Sequence, residues 1–282
     1  MTKSPQTIAS YAAILKELQT NFKCQDLSFT KKTPAVIKYI EELPKAYATR
    51  KLYYAVLVST LRDLKKGRTK LIREAEEIYR AKMIEYNTKL AEKAAEQTLS
   101  ERESKIYLEW PEIIRAWENL DLQKSEFPED YALLSCYVLS PPLRADWSPV
   151  RVASRMEDTS GNTLVVNASG MVLVLKEYKT ATKYGEKCIE IPPALEEVLN
   201  DWLKVNTSGW LFADGGPRSE RWIAKRLVTI MKRLTGKGAG INIFRHSYIT
   251  HMRAGEKPIL ESEKLASSMC HSVGMSHLYR RL

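Results

Sequence analysis

Apolar residues recur at helical spacing along most of this chain, and β-type runs gather in one region only. Ser4-Pro5 reads as a helix start, with serine as cap and proline at the first helical position. Ile8, Tyr11, Leu15, Leu18 and Phe22 then share one helical face. Thr33-Pro34 opens a second helix that carries Val36, Ile37, Tyr39 and Ile40 and ends near Pro44. A third is predicted from about Ala46 to Leu64, with Leu52, Tyr53, Val56, Leu57 and Leu61 buried. Thr69 to Lys105 contains neither glycine nor proline, and its apolar stripe through Leu71, Ala75, Ile78, Met83 and Tyr86 is narrow. It reads as one long helix, or two with a bend, acting as an interdomain arm or coiled-coil partner rather than a core helix.

A domain boundary near 98–104 follows, giving a helical domain over 1–100 with an arm helix at 69–104, and a second domain over 105–282. The second domain opens with helices at Trp110–Leu120 and Pro128–Val138, and Pro141-Pro142 blocks further helix. Thr163–Ala168 and Met171–Lys179 are β-rich and joined by Ser169-Gly170, so a hairpin is predicted. Thr180–Gly185 reads as a turn, and Lys187 to Pro192 as a third short strand. Helices follow at Pro193–Lys204 and Ser219–Leu234, and Gly236–Gly240 reads as a flexible connector. The expected fold is mainly α with a small antiparallel β-sheet.

Charge adds a partner to this picture. The formal net charge is +10, and residues 1–100 hold 19 Lys/Arg against 11 Asp/Glu while the remainder holds 25 against 23. Such an excess in one segment points to a polyanion, nucleic acid being the commonest, or to a solubilising surface. Lys65, Lys66, Arg68, Lys70 and Arg73 form the densest basic run, placed where a helical module would touch a DNA backbone or where a helix end is simply solvated. The N-terminus M-T-K-S-P-Q-T lacks an apolar signal core, and runs such as 53–58 are far short of a membrane span. An intracellular protein of cytoplasm or nucleus, with no membrane partner, is therefore expected. Cys24, Cys136, Cys188 and Cys270 stand apart, which excludes a C-x-x-C zinc pattern and a compact disulfide framework and predicts reduced, buried thiols. No phosphate loop, nucleophile elbow or acidic magnesium cluster is present, so no cofactor or metal is expected.

Candidate chemistry gathers near the end of the chain. All four histidines, His246, His251, His271 and His277, lie between residues 246 and 277, beside Arg245 and ahead of Tyr279. Four pieces precede or make up this stretch in a definite order. They are P-P-L-R-A-D-W at 141–147, K-T-A-T-K at 179–183 before C-I-E-I-P, F-R-H-S-Y-I-T at 244–250, and M-C-H-S from Met269 with Tyr279 beyond it. In that order and spacing the second domain resembles the catalytic domain of the tyrosine recombinases, the phage integrase family, and the first resembles their core-binding domain. The likeness covers most of the chain.

The resemblance implies a mixed α/β catalytic domain that cuts DNA by tyrosine attack, leaving a 3′-phosphotyrosyl link and a free 5′-hydroxyl. The covalent link conserves bond energy, so the family needs neither ATP nor metal. It makes Tyr279 the nucleophile, and a phenol is a poor one until cations surround it. Arg144 and Arg245 become the clamp on the phosphate, a role suited to a permanently charged planar fork. Lys179 matches the general acid that protonates the leaving oxygen, with Lys183 as the substitute. His271 matches the residue that bonds a non-bridging oxygen, and His246 supports the site rather than transferring a proton. Asn242 stands where the family has His or Lys, and can donate a hydrogen bond but not a proton. The step from His271 to Tyr279 is eight residues, where the family has nine. Lys65, Lys66, Arg68 and Lys70 are assigned to DNA-backbone contacts. His251 and His277 are expected to be bystanders, and Trp147, Trp202, Trp210 and Trp222 core residues. The implied function is a site-specific recombinase or integrase of a virus or mobile element, acting on double-stranded DNA as a homotetramer on paired sites. The alternatives are a type IB topoisomerase-like strand transferase and a catalytically impaired DNA-binding protein of the same fold.

Overall fold

A computed structural model describes residues 5–64, 69–95, 99–155, 161–253, 266–269, 275 and 279. The chain divides into two compact units, Met1–Glu96 and Gln97–Leu282.

Four helices make the first unit: α1 (Pro5–Asn21), α2 (Thr33–Glu42), α3 (Tyr47–Arg62) and α4 (Lys70–Ala95), with a tight helical turn at Ser28–Lys31 between α1 and α2. Leu18, Val36, Ile40, Leu57 and Leu61 are fully buried between them. The expectation for α4 is corrected. Ala75 and Tyr86 are buried as expected, but Leu71 and Ile78 are 62% and 42% exposed while Ile72 and Tyr79 are buried in their place, and α4 packs on α3 as a core helix. Tyrosine chemistry is the reason. Tyr54 of α3 stacks on Tyr79 and Tyr86 with ring centroids 6.4 and 5.8 Å apart. The three hydroxyls donate to the Thr30 carbonyl (2.8 Å, from Tyr79) and to Glu41 (2.5 Å from Tyr86, 3.0 Å from Tyr54). A tyrosine whose ring is packed and whose tip is paired behaves as a core residue, which a hydropathy pattern undervalues. Tyr54 likewise takes the buried place assigned to Leu52, which is 36% exposed. Nor is 69–104 one helix: α4 is described from Lys70 to Ala95, and α5 (Glu101–Ile106) starts afresh at Ser100, which forms a capping box with Glu103.

The second unit continues with α6 (Trp110–Asp121), α7 (Pro128–Val138), β1 (Arg151–Ala153), β2 (Thr163–Asn167), β3 (Gly170–Leu175), α8 (Ala181–Tyr184), β4 (Lys187–Glu190), α9 (Pro193–Val205), α10 (Glu220–Thr235) and α11 (Ile241–Met252). The fold is thus mostly helical with one small sheet. That sheet has four strands in the order β1-β2-β3-β4 and is mixed, not antiparallel, because β1 runs parallel to β2 with Val152 opposite Leu164. Three residues are too few to show alternation. β1 forms because its outer edge is bonded as well: Val152 N donates to the Gly209 carbonyl (3.0 Å), and Leu211 N to that of Val150 (2.8 Å).

β3 ends at Leu175, short of the predicted Lys179. The Asn162 side chain accepts the N–H groups of Lys176 (3.0 Å) and Glu177 (2.8 Å) and turns the chain there. The predicted turn at 180–185 winds once into α8 and stops on Gly185 at φ 69°. Gly236–Gly240 is packed rather than a flexible connector. Gly236 closes α10 in the left-handed conformation, Ala239 is fully buried, and a Cβ at Gly238 or Gly240 would meet Val228 at 3.2 Å. Buried Asp130 of α7 accepts from Arg226 (2.5 Å) and Arg233 (3.0 Å) of α10, tying the two helices. Of the described thiols Cys136 is buried, but Cys24 is half-buried and Cys188 exposed, against the expectation. No helix among the described residues is long and apolar enough to cross a membrane.

Candidate active site

The site grows from α11. Its N-cap is Gly240, and Ile243, Phe244, Arg245, His246, Ser247 and Ile249 are all buried, so the helix is enclosed on most sides and carries a charged side chain inward. Arg245 has no exposed surface. One Nη donates to the Pro142 carbonyl at 2.6 Å and the other approaches the Met269 carbonyl at 3.5 Å, while Nε has no hydrogen-bond partner among the described residues. Burial pushes the Arg245 guanidinium below its ordinary range. Tyr279 works against that shift, Arg144 adds to it by repulsion, and Asp146 offsets part of it.

Arg144 is brought to this place by the double-proline segment. Its carbonyl accepts the Tyr137 hydroxyl at 2.6 Å, and its N–H donates to Asp146 at 3.2 Å. Tyr137 in turn packs edge-on against Phe244, with ring centroids 5.8 Å apart. Burial pushes the Asp146 carboxyl up, and Arg144 and Arg245 pull it down. Two guanidinium groups that repel one another, only partly offset by Asp146, make a place that favours an added anion.

Tyr279 completes the cluster. Its ring centroid lies 4.9 Å from the Arg245 guanidinium carbon, and its hydroxyl is within hydrogen-bonding reach of that group. His246 is 7% exposed; its Nδ1 lies 2.7 Å from the Tyr279 carbonyl oxygen and its Nε2 3.7 Å from Glu103 Oε1. A cleft of about 820 Å³ adjoins the cluster, lined among others by Arg102, Glu103, Arg144 and Asn242.

Other predicted residues fall elsewhere. Lys179 and Lys183 are exposed on the segment between β3 and β4. Neither side chain makes a hydrogen bond or ion pair with any described residue, and the Lys183 ammonium sits over the Tyr184 ring at 4.9 Å. The nearest tie from that sheet is one that sequence reading missed: Lys187 of β4 donates to the Ser267 carbonyl at 3.1 Å, two residues before the carbonyl that meets Arg245. Asn242 is exposed on the cleft wall. His251 is exposed, Trp147 is buried in the core, and Trp210 instead carries Arg151 over its ring at 4.5 Å. Lys70 is exposed at the start of α4, 3.8 Å from Glu74. Lys65, Lys66, Arg68, His271 and His277 lie outside the described residues. Asp146 and Glu103 were also missed. The S-x-x-E pattern at 100–103 carries a helix-start signal that could have drawn notice to Glu103, but nothing local links it to His246. Among the described residues no group of three His, Cys, Asp or Glu could hold a metal ion.

No protein-family model and no curated protein matches the chain. Among solved structures it is similar to one described as the XerA recombinase, with 14% identity over 99% of this chain and 88% of that one and a TM-score of 0.46.

Proposed function

We propose that this chain cleaves and rejoins DNA, with Tyr279 as nucleophile and Arg245 and Arg144 as the clamp on the scissile phosphate. One observation carries the reading: a fully buried arginine with an unpartnered Nε, repelled by a second arginine, lies under a tyrosine ring. A protein interior tolerates such a charge when a bound anion completes it. A phosphodiester fits a planar guanidinium, and the tyrosine stands beside the place where it would sit.

In this reading the Tyr279 hydroxyl attacks phosphorus, losing its proton to solvent, and the bond from phosphorus to the 5′-oxygen breaks. A 3′-phosphotyrosyl link forms. Lys179, or Lys183, gives a proton to the departing 5′-oxygen from the exposed segment after β3. Attack by a 5′-hydroxyl reverses the step and needs no outside energy, because the covalent link has kept it. The arginines stabilise the charge on the five-coordinate phosphorus. His271 bonds a non-bridging oxygen, Asn242 donates from the cleft wall, and Lys65, Lys66, Arg68 and Lys70 hold the DNA backbone. Site-specific recombination on paired sites in a homotetramer, and a virus or mobile element as source, extend this reading on the sequence resemblance alone.

A second reading, a DNA-binding protein with impaired catalysis, is favoured by Asn242, whose amide cannot transfer a proton. Nicked suicide DNA decides between them. A covalent adduct on a denaturing gel, lost in Tyr279→Phe and Arg245→Ala, supports strand cleavage. An adduct that survives Tyr279→Phe removes the nucleophile assignment, and DNA binding without any adduct supports the second reading.

A further inference from the structure

We infer that Glu103, at the start of the second unit, positions Tyr279 by way of His246. The two ring nitrogens of His246 face oxygen atoms on opposite sides. Nδ1 is 2.7 Å from the Tyr279 carbonyl oxygen, and a carbonyl only accepts, so Nδ1 carries the proton. Nε2 faces a second acceptor, Glu103 Oε1, at 3.7 Å, a contact that attracts when Nε2 is protonated as well and the ring is an imidazolium between a carbonyl and a carboxylate. Glu103 is itself anchored. Its other oxygen accepts from Ser100 N at 3.0 Å and Ser100 Oγ at 2.7 Å, while its N–H donates to Ser100 Oγ at 3.2 Å. A carboxylate fixed by a helix cap thus sets the imidazole, and the imidazole holds the main chain of the tyrosine. A carboxylate beside a doubly protonated imidazole attracts the charged ring and fixes which way it points. The His246 and Tyr279 ring centroids are 4.9 Å apart, so a swing of the imidazole also moves the face against which the phenol rests.

Glu103 and His246 touch no reacting atom in this role; they are positioning residues. The kinetic consequence rests on the proposed reaction, while the contact itself does not. Misplacing a reacting group by about 1 Å costs about 100-fold in rate. His246→Leu, which removes both contacts, is expected to slow adduct formation by about that factor at unchanged DNA affinity. Glu103→Gln keeps the capping box and loses only the charge toward His246, and is expected to slow it by about three- to tenfold. His246→Asn, whose amide N–H falls near the place of Nδ1–H, recovers most of the rate.

The test uses the full chain with two readouts: adduct formation on nicked suicide DNA with affinity measured separately, and hydrogen exchange of peptides across residues 266–282. Faster exchange there in His246→Leu and Glu103→Gln, with near-wild-type exchange in His246→Asn, supports the inference. Unchanged exchange in both disruptive variants overturns it, as does a rate loss matched by an equal loss of DNA affinity. If the wild-type protein forms no adduct, the proposed reaction fails and the exchange data still decide the contact. Glu103→Gln covers the case in which His246→Leu does not fold.

Discussion

Replacing Arg245 with methionine separates what this side chain does for folding from what it does for a phosphate. Three features of the wild-type environment oppose the charge: complete burial, an Nε without a partner, and repulsion from Arg144. Four favour it: a short bond to the Pro142 carbonyl, a long one to that of Met269, the Tyr279 ring, and the charge of Asp146. The orphan N–H costs about 1–3 kcal/mol, and stranding the Pro142 carbonyl in the variant costs about the same, so these cancel. At 3.5 Å the Met269 contact adds little. A desolvated cation over an aromatic ring contributes about 2 kcal/mol, against an effective burial penalty of several kcal/mol for an ion. Methionine retains the length and adapts to the space. Arg245→Met is therefore expected to be as stable as wild type or more stable by about 1–2 kcal/mol, a rise of about 2–8 °C in the midpoint of the second unit. Adduct formation should fall about 100- to 1000-fold. Calorimetry and the adduct gel read the two effects on the same preparations. A midpoint lowered by more than about 8 °C would show that the fold depends on this charge, and the argument for a missing anion would collapse.

Asp130→Ala removes the carboxylate that ties α7 to α10. Its side chain is 2% exposed, but those of Arg226 and Arg233 are 38% and 34% exposed and can rehydrate, so a loss of about 2–3 kcal/mol by urea titration is expected, below the full cost of a broken buried pair. A loss under about 0.5 kcal/mol would place the clamp among ordinary surface pairs. Gly170→Ala forces φ 126° on a residue with a Cβ and sets that atom 2.8 Å from Glu196 Oε1, which accepts the Met171 N–H at 2.6 Å; about 2 kcal/mol or more should be lost, and a neutral result would mean the β2–β3 turn relaxes freely. In the first unit burial raises the Glu41 carboxyl, but hydrogen bonds from Tyr86 and Tyr54 and the charge of Lys82 win and hold it below its ordinary 4.5. A depressed carboxylate stabilises fully above its unfolded value and loses that contribution as pH falls through the folded one. Hydrogen exchange in α2 and α3 should therefore speed up as pH falls below about 4.5, after correction for intrinsic rates, and Glu41→Gln should flatten the trend. An unchanged slope in Glu41→Gln would assign the acid sensitivity to other groups.

What could be read from the chain and what could not differ by the range of the forces involved. α7 is found at Pro128–Val138, as the proline start and the double proline beyond it predict, and α10 begins at the Ser219 cap. These features are legible because caps, breakers and apolar steps act within about one helical turn. The face of α4 was misread at Ile78 because Tyr79 hides its polar tip on the Thr30 carbonyl, 49 residues away in sequence. β1 was missed because its strand character comes from pairing on both edges, not from its three residues.

The candidate site divides in the same way. The residue types and their order were visible in the sequence, and with them the expectation that Arg144, Arg245 and Tyr279 belong together. Tertiary structure alone decided that Arg245 is buried, because its short bond goes to a carbonyl 103 residues away, and that the Lys179 and Lys183 side chains remain exposed without polar partners among the described residues. It also brought in Glu103, Asp146 and Lys187. Local sequence selects helices through interactions between near neighbours. The charge state and reach of a buried group depend on every dipole within a few ångströms, and only the folded chain determines which those are.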